Sequence, residues 1–162
     1  MIFQRLNGGD AEKVFAIFYN VQGATITAGY AARLDTVTFD GVRVSQPTTA
    51  TFSLLVGIAN ASIADSTYGL VQIYGYRQSA FVTNDTSVAI AAGDILISVN
   101  GVNNLARSAA GNGTQIAGSG LIIAGALVGT ATTPAAAAVK CFIRCMAFVF
   151  AVGIPILAAM QA

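Results

Sequence analysis

Short runs of apolar residues alternate with turn residues along most of this chain. The runs are rich in Val, Ile, Phe and Tyr, which suit a pleated sheet, and Gly, Asn, Asp and Ser separate them. The pattern therefore predicts strands and almost no helix. The predicted strands cover residues 14–21, 51–59, 68–76, 79–82, 95–99, 121–129 and 139–150. The run at residues 121–129 would also suit a buried helix.

The strongest local signal is the segment DTVTFDGVRVS at residues 35–45. Two short alternating runs flank Asp40 and Gly41. Asp-Gly is a preferred pair for a two-residue type I′ turn, because both central positions of that turn have positive φ. We therefore predict a β-hairpin with Asp40 and Gly41 as its turn, and we expect Pro47 to end the pairing.

Two segments of the chain resemble each other, ITAGY at residues 26–30 and IAAGD at residues 90–94. In each segment an apolar residue leads into a turn made of small residues and Gly, and a predicted strand follows. The pattern predicts that two sheet edges turn the same kind of corner. The match is too short to indicate a duplication by itself.

The predicted architecture is all-β, a compact antiparallel β-barrel or β-sandwich with an extended N-terminal arm and long loops. A length of 162 residues fits a single domain. We assign residues 1–13 to the arm and residues 14–150 to the β-domain. Within that domain residues 101–120 are rich in Asn, Gly, Ser and Ala and predict a long loop. Residues 151–162 form an apolar C-terminal tail.

Charge is scarce. Charged residues make up 9% of the chain and the net charge is +1, whereas a typical soluble domain has about 25% charged residues. Either the chain inserts into a membrane, or other subunits cover much of its surface, because the buried cores of interfaces are depleted of charge. The basic residues are scattered singly, so a nucleic-acid partner is not expected.

The tail favours coverage by other subunits. Residues 145–159 are uncharged, but this stretch of 15 residues is shorter than the about 20 needed to span a bilayer, and Gly153 and Pro155 interrupt it. No membrane partner is therefore expected. The N-terminus shows no secretory signal, which predicts synthesis in the cytoplasm.

The residues for catalysis are few. The chain has no His, so it holds no Ser-His or Cys-His pair and no ready general base near neutral pH. The glycine-rich stretches at residues 111–113 and 118–120 lack the Lys of a phosphate-binding loop. We predict no catalytic residue, no cofactor and no metal, and we expect that the protein is not an enzyme.

The two cysteines, Cys141 and Cys145, are separated by three residues. On a strand they would share a face but lie about 13 Å apart, too far for a disulfide. There is no His to complete a zinc site. We expect both to be small buried apolar residues.

Several aromatic side chains are unusual for a small soluble monomer. They suit either the core or subunit interfaces, where Tyr and Phe are enriched. They are Phe15, Phe18, Tyr19, Tyr74, Tyr76, Phe81, Phe148 and Phe150.

Five motifs follow one another in the order AGY, DGVRV, VGIA, YGLVQIYGYR and AAGDIL. This ordered set resembles the head decoration proteins of tailed bacteriophages, also called cement or capsid-stabilising proteins. The resemblance covers roughly residues 20–100, with a weaker echo at residues 139–144. It implies a β-rich subunit on the outer surface of an icosahedral capsid, made in the host cytoplasm. Its implied partners are the major capsid protein and itself, as a dimer or trimer.

For this function we expect contacts from the arm, the predicted loop and the tail. The candidate interface residues are Phe3, Arg5, Asn103, Asn104, Arg107 and Ile156. The alternative is another structural part of the virion, such as a head fibre base, a tail subunit or a receptor-binding module.

Overall fold

A computed structural model describes residues 2–4, 12–47, 54–83, 90–99, 101–107, 122–125 and 137–145. All regular elements in these residues are β-strands, which confirms the predicted all-β class. The strands are β1 (Ile2–Gln4), β2 (Lys13–Asn20), β3 (Ala31–Leu34), β4 (Arg43–Ser45), β5 (Leu55–Ala59), β6 (Tyr68–Val82), β7 (Ile95–Val99), β8 (Val102–Arg107), β9 (Ile122–Ala124) and β10 (Ala137–Arg144).

The strands form one sheet in the order β1-β2-β4-β3-β5-β6-β10-β9-β7-β8, with additional pairings of β2 with β6 and of β6 with β8. Most neighbours are antiparallel, but β2–β4 and β6–β8 are parallel. The 15-residue strand β6 is the centre of this arrangement. Its first half pairs with β2 and β5, and its second half pairs with β10.

Two buried apolar clusters lie within the described residues, one around each half of β6. Strand β5 contributes to both. Leu55 and Ile58 belong to one cluster, and Val56 and Ala59 belong to the other. Alternate residues of a regular strand share a face, but the pairing of β5 with β3 shifts register between Leu55 and Gly57. This bulge brings Leu55 and Ile58, three residues apart, to the same side. All five residues of β5 are buried.

A hairpin forms in this region, but its first strand and its turn differ from the prediction. The predicted first run, residues 35–39, lies in the connection, and the strand that pairs with β4 is β3, which precedes it. Strands β3 and β4 pair antiparallel, with Leu34 opposite Val44. The connection is the whole of residues 35–42, so the predicted two-residue type I′ turn is wrong. Two carboxylates account for the longer loop. Asp35 accepts backbone hydrogen bonds from residues 37 and 38, and Asp40 accepts them from residues 42 and 43.

The predicted long loop at residues 101–120 is wrong for residues 102–107, which form β8. The composition did not predict this strand, because Asn103 and Asn104 are residues that usually favour turns. In the structure Asn103 is buried, and its side chain forms hydrogen bonds with Gln22 and Ala31. Residues 108–120 and the tail at residues 151–162 lie outside the described residues. Within the predicted arm, residues 2–4 pair with β2 as β1.

Candidate interaction surface

Exposed apolar side chains gather on one face of strands β2 and β6. Ile17 is 53% exposed and Tyr68 is 65% exposed. Ile17 lies opposite Leu70, and Tyr19 lies opposite Tyr68. Alternate residues of a strand share a face, and residues directly opposite each other point the same way. These four residues, of which Tyr19 and Leu70 are half-buried, form one surface, which we call the β2–β6 face. Phe15 points to the same side but is buried.

One end of this face opens into a cleft with a volume of about 450 Å³, lined by Tyr19, Asp40, Val42, Arg43 and Tyr68. We call it the aromatic cleft. The ring centroids of Tyr19 and Tyr68 are 4.9 Å apart and the rings are tilted by 58°. The Arg43 Nε atom lies 3.4 Å from the Asp40 Oδ2 atom. The cleft therefore offers two aromatic rings beside one charge of each sign.

The carboxylate of Asp40 is held in its ionised form. Its Oδ1 atom accepts hydrogen bonds from the backbone N–H groups of Val42 (2.9 Å) and Arg43 (3.0 Å). These two bonds, followed by the charge of Arg43, lower the pKa of Asp40 below its ordinary value. The ion pair at the mouth of the cleft is therefore present at neutral pH.

The loop beside the cleft also presents apolar side chains to solvent. Val37 is 91% exposed, Phe39 is 52% exposed and Val42 is 42% exposed. The Oδ2 atom of Asp35 accepts hydrogen bonds from the backbone N–H groups of Val37 (3.1 Å) and Thr38 (2.9 Å), which anchors the start of the loop. Side chains held out in this way suit contact with another protein.

The opposite end of the face holds a smaller, polar hollow of about 220 Å³, lined by Lys13, Phe15, Asn60, Gln72, Arg77, Gln78 and Ser79. The Arg77 guanidinium donates to the carbonyl oxygens of Ala59 (2.9 Å) and Ser79 (2.8 Å), and to the side-chain oxygen of Gln72 (3.4 Å). Burial lowers the pKa of Arg77, but an arginine stays charged in proteins. Its donors hold the sheet together more than they offer a site for an anion.

Two of the predicted interface residues serve contacts within the chain. The buried Asn103 exchanges hydrogen bonds with Gln22 and donates to Ala31. The Arg107 Nε atom lies 2.9 Å from the carboxylate of Asp94. Asn104 is half-buried on β8. The side chain of Phe3, and Arg5 and Ile156 as a whole, lie outside the described residues.

Several residues of this surface were not among the predicted contacts. The sequence predicted only a strand or a hairpin for the segments that hold them. These residues are Tyr68, Val37, Phe39 and Val42. Tyr19 was one of the aromatic residues suited to core or interface, and it lines the cleft. Of the others, Phe15 and Phe18 are buried. The alternating run TVTFDGV gave no signal for this exposure, because alternation predicts a half-buried strand.

The described residues offer little for chemistry. They contain no group of three or more His, Cys, Asp or Glu side chains that could hold a metal ion. Cys141 and Cys145 are buried, as expected. Burial raises the pKa of Cys141 to about 12 and also raises that of Cys145. Both thiols are therefore protonated at neutral pH and are poor nucleophiles.

No helix in the described part of the chain is long and apolar enough to cross a membrane.

Comparison with known proteins does not assign a family. No protein-family model matches the chain, and no curated protein matches it. The function is therefore argued from the chain's own residues.

Proposed function

We propose that this protein is a capsid decoration protein of a tailed bacteriophage, which binds the outer surface of the assembled head and stabilises contacts between major capsid subunits. The observation that carries the proposal is the β2–β6 face, an exposed apolar surface on a rigid sheet. The ordered motifs that resemble decoration proteins support the same function.

The composition of the face suits protein binding. Ile17 stands at its centre, with Phe15 and Leu70 as apolar neighbours. Among the described residues, charged side chains lie at its two ends, Asp40 and Arg43 in the aromatic cleft and Lys13 and Arg77 in the polar hollow. An apolar centre with a polar rim is the usual organisation of a protein interface.

A protein of this kind acts by mass action. It stabilises the assembled shell because it binds that state better than it binds free coat subunits. At a free concentration of 100 times Kd, each occupied site adds about 2.7 kcal/mol. Many copies on one shell then raise the total resistance of the particle to disassembly, without any catalytic step.

The test uses heads from the same source, stripped of this protein, and the purified full-length chain. We expect saturable co-sedimentation with the heads and density at fixed positions on the outer shell in cryo-electron microscopy. Density confined to the tail or to a vertex would instead favour a fibre base or a receptor-binding part. No association with particles would exclude both.

The matched variants are Ile17→Asp and Ala138→Asp. Both side chains are exposed on the sheet, but Ala138 lies on β10, outside the β2–β6 face. Ile17→Asp should weaken binding to heads by about tenfold or more, because it puts a charge where the partner needs an apolar contact. Ala138→Asp should bind like the wild type. Circular dichroism verifies that both variants fold, and equal binding by both would rule out this face as the contact.

A further inference from the structure

Strands β2 to β10 form two copies of one five-strand unit, which share β6. Unit 1 consists of β2, β3, β4, β5 and the first half of β6. Unit 2 consists of the second half of β6, β7, β8, β9 and β10. All five pairings of unit 1 recur in unit 2 with the same direction. The parallel pairing of β2 with β4, for example, recurs as that of β6 with β8.

The correspondence extends to hydrogen bonds in the connections. In each unit the Gly of the small-residue corner and the residue after it bond to the end of the fourth strand. The matched bonds are Gly29 N to Ala59 O (2.9 Å) and Ala59 N to Tyr30 O (2.8 Å) in unit 1, and Gly93 N to Ala124 O (2.9 Å) and Ala124 N to Asp94 O (2.8 Å) in unit 2. Two further hydrogen bonds of unit 1 have counterparts in unit 2. The bond from Val21 N to Val44 O corresponds to that from Thr83 N to Leu105 O. The bond from Asn60 N to Leu70 O corresponds to that from Gly125 N to Lys140 O.

The two corners are the same kind of turn. Tyr30 N donates to Thr27 O (3.0 Å), and Asp94 N donates to Ala91 O (3.2 Å). The third residue of each turn is a glycine, with φ of 88° at Gly29 and 91° at Gly93. Positive φ at this position identifies a type II turn. The two short motifs therefore mark a structural repeat that spans both units.

The turn of unit 1 is seated against unit 2 within the chain. The ring of Phe81 meets the ring of Tyr30 edge-on, with centroids 5.3 Å apart. Phe81 N donates to Gly29 O (3.0 Å), and a side chain on Gly29 would meet the Phe81 ring at 2.9 Å. Asn103 of β8 donates to Ala31 O just after the turn (3.1 Å). Unit 2 therefore holds the turn of unit 1 between the end of its first strand and β8.

The matching place on unit 1 is open. Asn20 pairs with β4 in unit 1, and Val82 makes the corresponding pair with β8 in unit 2. The residues that precede them, Tyr19 and Phe81, therefore occupy equivalent positions. The end of the first strand and the third strand of unit 1 provide Tyr19, Val42 and Arg43, which line the aromatic cleft. Where unit 2 holds a turn, unit 1 thus has a cleft of about 450 Å³.

The turn of unit 2, at residues 91–94, does not pack against another segment of the described chain as the turn of unit 1 does. A side chain on Gly93 would meet no atom within 4 Å, in contrast to Gly29. Ala91, Ala92 and Gly93 are all exposed. Of the six large apolar side chains that are exposed in the described residues, five belong to unit 1, and two of these, Val42 and Tyr68, line the open cleft. The five are Ile17, Val37, Phe39, Val42 and Tyr68.

We infer that a second copy of this chain places its turn at residues 91–94 in the aromatic cleft, so that copies join head to tail as unit 2 joins unit 1. One bond differs, because Tyr19 N already donates to Val42 O (2.9 Å) and is not available to the incoming turn. The contact therefore relies on the side chains of Tyr19, Val42 and Tyr68. Such a contact joins two different surfaces, and it closes into a ring or continues as a chain according to the rotation between units. It does not depend on the proposed binding to phage heads.

The test breaks each surface separately in the full-length protein. Tyr68→Asp puts a charge into the cleft. Ala92→Asp puts a charge on the turn, which would have to be buried against the rings of Tyr19 and Tyr68. Sedimentation velocity should show wild-type oligomers and about a tenfold or greater loss of association for each variant. The two variants mixed in equal amounts should form a dimer, because one intact cleft meets one intact turn.

The matched control is Ala138→Asp. Ala138 lies opposite Phe81 as Tyr68 lies opposite Tyr19, and it is exposed in unit 2. This variant should associate like the wild type. Val42→Asp, which lines the cleft at a 42% exposed position, replaces Tyr68→Asp if that variant fails to fold. A monomeric wild type, an unaffected cleft variant, or a mixture that stays monomeric would each overturn the inference.

Discussion

The side-chain amide of Asn103 donates a hydrogen bond to the carbonyl oxygen of Ala31 over 3.1 Å in the interior of the protein. It also donates to the side-chain oxygen of Gln22 (3.1 Å). Asn103 lies on β8, whereas Ala31 and Gln22 belong to the first third of the chain. A single buried amide thus joins the two units and sets how β8 lies against the start of β3.

Replacing this amide should destabilise the fold. We expect Asn103→Ala to lower the free energy of unfolding by about 1–3 kcal/mol, because buried acceptors lose their donor. Urea denaturation of the purified protein measures the change. The control is Asn104→Ala at the half-buried neighbouring position, with an expected loss of about 0.5 kcal/mol or less. Equal losses would show that the Asn103 amide has no special role in joining the units.

The two ion pairs of the described residues should contribute differently to the free energy of unfolding. The Asp94 carboxylate is 5% exposed and the pair with Arg107 is short, whereas Arg43 and Asp40 are 42% and 35% exposed. Arg107→Ala should cost about 1–3 kcal/mol of unfolding free energy, because it leaves a buried charge with fewer partners. Arg43→Ala should cost about 0–1 kcal/mol. Thermal melts at low and high salt compare them, and a larger loss at Arg43 would contradict the ranking.

Gly57 should not tolerate a side chain. A Cβ atom there would overlap the carbonyl oxygen of Gln72 on the adjacent strand, and its φ is 153°. We expect Gly57→Ala to cost about 3 kcal/mol or more, since the backbone of β5 or β6 must move. Gly23→Ala is the control, because its φ is 78° but no atom lies within 4 Å. Strain alone should cost about 1–2 kcal/mol there, and equal melting temperatures would refute the steric argument.

The Cys141 thiol should make stability depend on alkaline pH. Burial raises its pKa from 9.0 to about 12 in the folded protein, so folding favours the protonated form. This contribution is complete below pH 9 and is lost as the pH rises towards 12. The difference in unfolding free energy between the wild type and Cys141→Ala, followed from pH 8 to pH 11, isolates it. A difference that stays constant with pH would show that the thiol is not buried as described.

The hairpin at residues 35–45 illustrates what local sequence can predict. The second alternating run contains β4, and a hairpin forms there as predicted, but β4 pairs with the segment before the motif, β3. The first run, residues 35–39, lies in the connection. The turn type did not follow, because Asp35 and Asp40 form hydrogen bonds with backbone groups further along the loop. Those bonds compete with the tight turn, and their outcome depends on the geometry of the whole loop.

The chain's own alternation of apolar and turn residues determined the strand class, the presence of a hairpin that includes β4, and the corners at Gly29 and Gly93, because turn chemistry and side-chain period act over a few residues. Only the tertiary structure decided that residues 102–107 form a strand, since Asn103 is stable there only with Gln22 and Ala31 beside it. It also showed that the short motifs at residues 26–30 and 90–94 are parts of two repeated five-strand units. The pairings that define a unit join residues far apart in the chain, and no local pattern specifies them. The aromatic cleft follows from the same long-range pairing, because it brings Tyr19, Arg43 and Tyr68 together from three strands.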